Sequence, residues 1–597
     1  MATSLLSILG IFLIITPFGL IFYFRNRLIG FLTILIASIS FHLILALISQ
    51  FWQFFNYSVI ITVNLVAFLA ILIWALKNFK KANFKIIIKW PLLLGLLIVI
   101  FQLFAVHFLY SGTINTIRGH ETVHNFSYKY PYFADEWAGV AFTNYSIKTQ
   151  SLPLTNPLID GEEHNNFPNI FVAFFSFLAE IFLLTQINPL LGFVPLSIIT
   201  GTLLCFLIYV LLKSSKIEEL PAIIAMLVVP WIVNSSKLPG IWYLFPFILG
   251  AILFFSGLVA YQLKNRVLFF IANLLTLLFY PPLVVFVLPV LILEIIIRNK
   301  KNLRSLVKEA VLLYFITAAI IFLILVLQPN NYSKLLVLFA NNIIRVNYDG
   351  TIPTRFIWQV VPLLTLPFAF LGIIKMWQKK MYLIFASTII GLIFWLVYSF
   401  SKYYLAIDYT RIAAIASYLT IVAFGVGAGS AFELLKRNLK KEQRKQIINV
   451  LTMITLAFFL GASFFYTRYE GWKNIRLIYQ FDSGPWQAPI EAPANNYLSN
   501  DDLRIFSNIS QTRFFTLPWK GLVIGAATNN YPVLTKGSTI TNFMMHEWVF
   551  VDASCYGKDY LAEVHNIKYV YLPPFNCPNF IFIDKSSEGL HLYEFKK

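Results

Sequence analysis

Apolar runs of about 20 residues recur along this chain, and each is long enough to cross a hydrocarbon core of about 30 Å as a helix. A strand-built barrel would alternate apolar and polar residues, and these runs do not alternate. Of the 597 residues, 58% are hydrophobic and 12% are charged. Soluble domains run at about 45–50% apolar and about 25% charged. The chain therefore reads as an all-α polytopic membrane protein. Its first run, from about Leu5 to Phe24, lacks a basic leader and a small-residue cleavage site, so a retained helix is expected there.

The net charge of +19 does not imply nucleic acid. Most Lys and Arg sit in short clusters between apolar runs, as the positive-inside rule expects. The clusters are Arg25 with Arg27, Lys77 to Lys89, Lys213 with Lys216, Lys264 with Arg266, Arg298 to Lys301, Lys375 to Lys380, and Arg437 to Lys445. Placing them in the cytoplasm predicts about 14 crossings. It puts the loop 111–165, the loop 328–355 and the chain from 467 to 597 outside. The run 167–186 must then lie along or dip into the membrane rather than span it. Three regions follow: N-terminal transmembrane helices over 1–89, a transmembrane unit over 90–466, and an external α/β domain over 467–597. Short runs such as "GLVIGA" (521–526), "HNIKYVYLPP" (565–574) and "FIFIDK" (580–585) predict its strands. Cys555 and Cys577 are placed to pair if this region is outside.

The loop 111–165 is polar, aromatic-rich and too long for a simple connector. It contains "PYFADEWAGV", with Asp135 and Glu136 adjacent. The stretch "DEWAGVAFTNY" has helical spacing, and a helix at the membrane surface is expected, with Trp137 and Phe142 toward lipid. The acidic pair admits two readings: a helix N-terminus favours Asp at the cap and Glu in the first turn, or one carboxylate does chemistry. The acidic run 160–163 is expected to be solvated.

The order of "ADEW", then "SLPLTNPL", then "HNNFPNIFVAFFSFLAEIF" resembles the first external loop of the GT-C superfamily of polyprenyl-phosphate-sugar-dependent glycosyltransferases, in particular its protein mannosyltransferase and aminoarabinose transferase branch. The resemblance implies a GT-C-like membrane domain. It implies that Asp135, with Glu136 beside it, stands next to the acceptor and the donor's anomeric carbon. His164 and Pro168 match the family's His–Pro element at a wider spacing. The segment "AIDYTRIAAIASYLTIVAFGVG" (406–427) is similar to the family's helix that opens with an Arg near the donor's phosphate, and Arg411 matches that position. A guanidinium suits two phosphate oxygens at once; the alternative is an interfacial anchor that snorkels. Asp408 is placed to orient or neutralise it. Arg345, in a loop that also holds Asp349 and Arg355, joins Tyr404 and His164 as expected donor contacts. The turn "NSSKLPG" (234–240) lacks the acidic residue that the family often carries there. A divalent metal at Asp135 and Glu136 stays open, and no cofactor is called for.

The expected function is thus transfer of a sugar from a polyprenyl phosphate to a glycan, lipid or protein acceptor at the extracytoplasmic face of the cell membrane, with inversion and Asp135 as base. A transporter or flippase of lipid-linked glycans is the rival. It would favour ionisable residues inside helices, and the run interiors are nearly free of charge. An anchor displaying the C-terminal region is a third reading, for which about 14 crossings is excessive. Sequons at Asn56, Asn125, Asn144, Asn234, Asn331 and Asn508 all fall in segments placed outside.

Overall fold

The computed structural model describes residues 2–22, 27–78, 89–117, 119–131, 133–159, 169–232, 241–298, 311, 344–346, 357–405, 407–437, 441–466, 497–535 and 547–596. His164, the acidic run 160–163, Pro168, the turn 234–240, Asp349, Arg355, Asn234 and Asn331 lie outside the described residues.

The apolar runs fold as helices, because only there does each residue satisfy its own backbone within lipid. Among the described residues, eight helices are long and apolar enough to cross a membrane. The central one is Tyr409–Arg437, with 20 of its 29 residues buried. It can be packed so closely because its faces carry Ala and Gly. A Cβ on Gly427 would run into the Phe368 carbonyl, and one on Gly372 into the Ala423 carbonyl. The helix Leu366–Gln378 therefore lies backbone to backbone against it. The double proline at 281–282 breaks a run, giving a 3-10 turn between the helices Arg266–Phe279 and Val284–Arg298.

The run 167–186 forms the helix Val172–Thr185, and 12 of its 14 residues are buried. At 1.5 Å per residue it is about 21 Å long, too short to cross alone. It is enclosed by other helices rather than laid along a membrane surface.

The 111–165 region holds more structure than its sequence announced. A hairpin opens it, with β1 (Tyr110–Thr116) antiparallel to β2 (Gly119–Phe126). The helix Ala134–Thr149 follows. It does not offer Trp137 and Phe142 to lipid: they are 0% and 8% exposed. The correction has a packing cause. This helix lies between Val172–Thr185, Pro189–Ser214 and the C-terminal helix Pro518–Thr528. Phe142 stacks on Phe175 at 4.5 Å between ring centroids, and Gly139 lets the Phe193 ring approach to 2.6 Å of where a Cβ would be.

Two short strands lie between the membrane helices: β3 (Ile344–Val346) pairs antiparallel with β4 (Tyr403–Leu405). The C-terminal part forms a five-stranded sheet. Its strands are β5 (Arg513–Thr516), β6 (Tyr531–Pro532), β7 (Tyr569–Leu572), β8 (Phe580–Lys585) and β9 (His591–Phe595). The order is β6-β5-β7-β9-β8, with β5 parallel to β6 and β7 and β9 antiparallel to β7 and β8. The strands expected within 565–574 and at 580–585 are present. The one expected at 521–526 is not. Those residues belong to the helix Pro518–Thr528, the crossover that parallel β5 and β6 require. Pro518 in its first turn and a left-handed Asn529 past its end are the helix signals that outweigh the β-branched run. Cys555 and Cys577 form a disulfide.

One face of this C-terminal unit is continuous with the membrane helices. Leu498, Phe506, Leu522, Ile524 and Tyr571 belong to the same buried cluster as Trp137 and Val140. The Leu498 N–H donates to the Tyr128 hydroxyl at 2.8 Å, and Asn144 donates to the Ala526 carbonyl at 3.4 Å. The opposite face of the sheet has its own core around Phe515, Phe550 and Phe580.

Candidate functional site

Asp135 and Arg411 are 276 residues apart and meet in space: Arg411 Nη2 donates to Asp135 Oδ2 at 3.2 Å. Each sits in the first turn of a helix, Ala134–Thr149 and Tyr409–Arg437 respectively. Asp408 caps the second helix. Its Oδ1 accepts from the Thr410 N–H at 2.8 Å and from the Thr410 hydroxyl at 3.0 Å. Thr410 in turn accepts from Arg411 Nη1 at 3.1 Å. Asp408 thus orients Arg411 through Thr410.

The guanidinium is set among aromatic rings. Its carbon lies 4.7 Å from the Phe245 centroid, 5.9 Å from Phe247 and 6.0 Å from Phe133. A desolvated cation over a ring gains about 2 kcal/mol. Tyr280 is a further side-chain neighbour of Arg411, and Phe171 stacks on it at 5.6 Å. Arg411 is 12% exposed, which is not the exposure of a snorkelling anchor; Asp135 keeps 44%. Desolvation pushes the Asp135 carboxyl above the ordinary carboxylate range. The Arg411 charge opposes this and the Asp408 charge adds to it.

Glu136 has a different role from its neighbour. It is 0% exposed. Its Oε1 accepts from the Ser197 hydroxyl and the Leu244 N–H, both at 2.8 Å, and its Oε2 from the Phe133 N–H at 3.2 Å. The last bond is the helix cap, so capping falls to Glu136; the N-cap residue is Phe133 and not Asp135. The other two bonds tie this turn to helix Pro189–Ser214 and to the segment that presents Phe245 to Arg411. With both oxygens engaged, Glu136 does not join Asp135 as an open pair for a divalent metal. Among the described residues, no three His, Cys, Asp or Glu side chains gather as a metal site would need.

Of the other expected residues, Arg345 and Tyr404 are direct partners in the β3–β4 ladder. That ladder ends shortly before Tyr409 in the chain, and β4 packs on the helix Tyr382–Ser401. His164 lies outside the described residues. Sequence reasoning missed Phe133, Phe245, Phe247 and Tyr280, which form the rings around Arg411. In a chain with 17% aromatic residues, no local pattern singles them out.

No family model matches the chain, and no curated protein does. The chain is similar to solved structures of the archaeal oligosaccharyltransferase AglB from Archaeoglobus fulgidus. In complex with an inhibitory peptide and a dolichol-phosphate, that protein is 12% identical with a TM-score of 0.44, over 81% of this chain and 69% of that one. The apo form gives 14% and 0.47 over the same shares. The complex with Zn and sulfate gives 14% and 0.46 over 85% and 73%. A likeness of this depth transfers no residue role.

Proposed function

We propose that the chain is a membrane glycosyltransferase that moves a sugar from a polyprenyl-phosphate donor to an acceptor hydroxyl at the extracytoplasmic face. The observation that carries the reading is the meeting of Asp135 and Arg411 in one partly open pocket of aromatic rings. The acceptor hydroxyl oxygen attacks the anomeric carbon with inversion. Its proton passes to the Asp135 carboxylate. The bond from the anomeric carbon to the phosphate oxygen breaks, and its electron pair leaves with the polyprenyl phosphate. Arg411 stabilises the charge that develops there. The raised affinity of Asp135 for a proton suits a base better than an ordinary Asp would. Glu136 positions the turn. About 14 crossings, with the C-terminal unit outside, complete the reading.

The test follows transfer from a radiolabelled polyprenyl-phosphate sugar in membranes. Asp135→Asn is expected to fold and bind donor, yet to transfer at least about 100-fold more slowly, the low end of what a general base supplies. Near-wild-type transfer would remove Asp135 from the chemistry. For orientation, single cysteines at Ser127 and Ser507, both exposed, are expected to label from outside intact cells. Labelling only after permeabilisation would reverse the topology.

One observation favours the transporter reading. Glu180 and His42, both ionisable, lie 2.9 Å apart inside the helix bundle, and ionisable residues there are what a transporter favours. Transbilayer movement of a lipid-linked glycan without chemical transfer would establish it.

A further inference from the structure

Glu180 is 0% exposed, and its neighbours His42 and Asn64 are 1% and 2% exposed. Its Oε1 lies 3.0 Å from His42 Nδ1 and accepts from Asn64 Nδ2 at 3.2 Å. Its Oε2 is 2.9 Å from the same His42 nitrogen. One turn earlier on the same face, Ser176 donates to Gln50 at 2.7 Å. Glu180 and Ser176 belong to helix Val172–Thr185, His42 and Gln50 to helix Arg27–Phe51, and Asn64 to helix Tyr57–Lys77. A third N-terminal helix, Ala2–Phe22, sets Gly10 against the Leu184 carbonyl. All three N-terminal helices thus close on one short helix. That helix stacks Phe175 on Phe142 of Ala134–Thr149, the helix that carries Asp135.

Apolar contacts between helices in lipid are weakly directional, since lipid offers the same contacts. A buried acid bonded to side chains of two other helices is directional. It is satisfied in one arrangement and costly in others. We infer that Glu180 is a positioning residue: through His42 and Asn64 it locks the N-terminal helices onto Val172–Thr185, and that helix holds Ala134–Thr149 in place for transfer. The catalytic half of this inference rests on the functional reading above; the docking half does not.

The test uses the full chain carrying Gln50→Cys and Ser176→Cys, which face each other across the same joint and leave the Phe142–Phe175 stack in place, with cross-linking by a short bis-maleimide quantified by mass spectrometry of the linked peptides. In the Glu180→Leu background the yield is expected to fall at least about fivefold. In the Glu180→Gln background it is expected to stay within about twofold, because the amide still accepts from Asn64 and can pair with either tautomer of His42. Without the added cysteines, Glu180→Leu is expected to lower kcat per folded enzyme about tenfold with KM for donor unchanged, less than the 10²-fold of a full 1 Å misplacement, and Glu180→Gln to recover it. An unchanged yield in Glu180→Leu overturns the inference whatever the activity. Full cross-linking in a wild type that transfers no sugar overturns the functional reading alone. If Glu180→Leu does not accumulate, Asn64→Leu removes one donor. Its yield is expected to fall about threefold, and a yield within about twofold of the wild type overturns the inference equally.

Discussion

Two acid–base pairs in this molecule are built from similar groups and placed oppositely. Asp135–Arg411 lies where two helices begin, and the Asp135 side chain is 44% exposed. Glu180–His42 lies inside the bundle with 0% and 1% exposure. The open pair can exchange a partner for a ligand without moving a helix. The sealed pair cannot. A buried polar pair adds little net stability, but removing one partner leaves the other unsatisfied at a cost of about 1–3 kcal/mol. The sealed pair is therefore suited to specify which helices meet, and the open one to do chemistry.

The contrast breaks first at Asp135→Asn. Its loss of at least about 100-fold in transfer should stand against a loss within about threefold for Glu180→Gln; the reverse order would exchange the roles of the two pairs. Glu136 offers the next test, since it neighbours the open pair in sequence and resembles the sealed one in burial. Glu136→Ala leaves the Leu244 and Phe133 N–H groups without their acceptor, while the Ser197 hydroxyl keeps the Phe193 carbonyl; stability should fall by about 2–3 kcal/mol, as unsatisfied buried partners do. Thermal unfolding in detergent reads this. An unchanged midpoint would show that water replaces the carboxylate there. Arg411→Lys should transfer about tenfold more slowly with the fold intact, because a point charge cannot reproduce the planar fork; full activity would leave Arg411 as no more than a partner for Asp135. The smallest effect is on pH. An ordinary Asp titrates near about 3.9, and desolvation raises Asp135 above that. The base works deprotonated, so kcat should fall as pH drops through the raised value. Arg411→Gln removes the opposing charge and should move that acid limb upward. A limb that moves downward would contradict the ion pair.

Both ends of the candidate site were legible in sequence, as two first-turn residues flanked by apolar helices. The aromatic lining was not, because Phe133, Phe245, Phe247 and Tyr280 come from separate segments and carry no spacing. Glu180 and His42 stand singly in apolar runs that read as nearly free of charge, and nothing local announces that they pair across 138 positions.

By itself the sequence determined that the chain is helical and lipid-spanning, since run length and the need to satisfy the backbone leave no other solution. It also determined that carboxylate and guanidinium appear where helices begin. Only the tertiary structure decided which of two adjacent carboxylates is open. Successive residues of a helix point about 100° apart, so Asp135 faces Arg411 while Glu136 turns inward to Ser197 and Leu244. It also decided that 521–526 is a helix, because a crossover between parallel strands outweighs local β preference. Such outcomes depend on neighbours distant in the chain, and no window of sequence contains them.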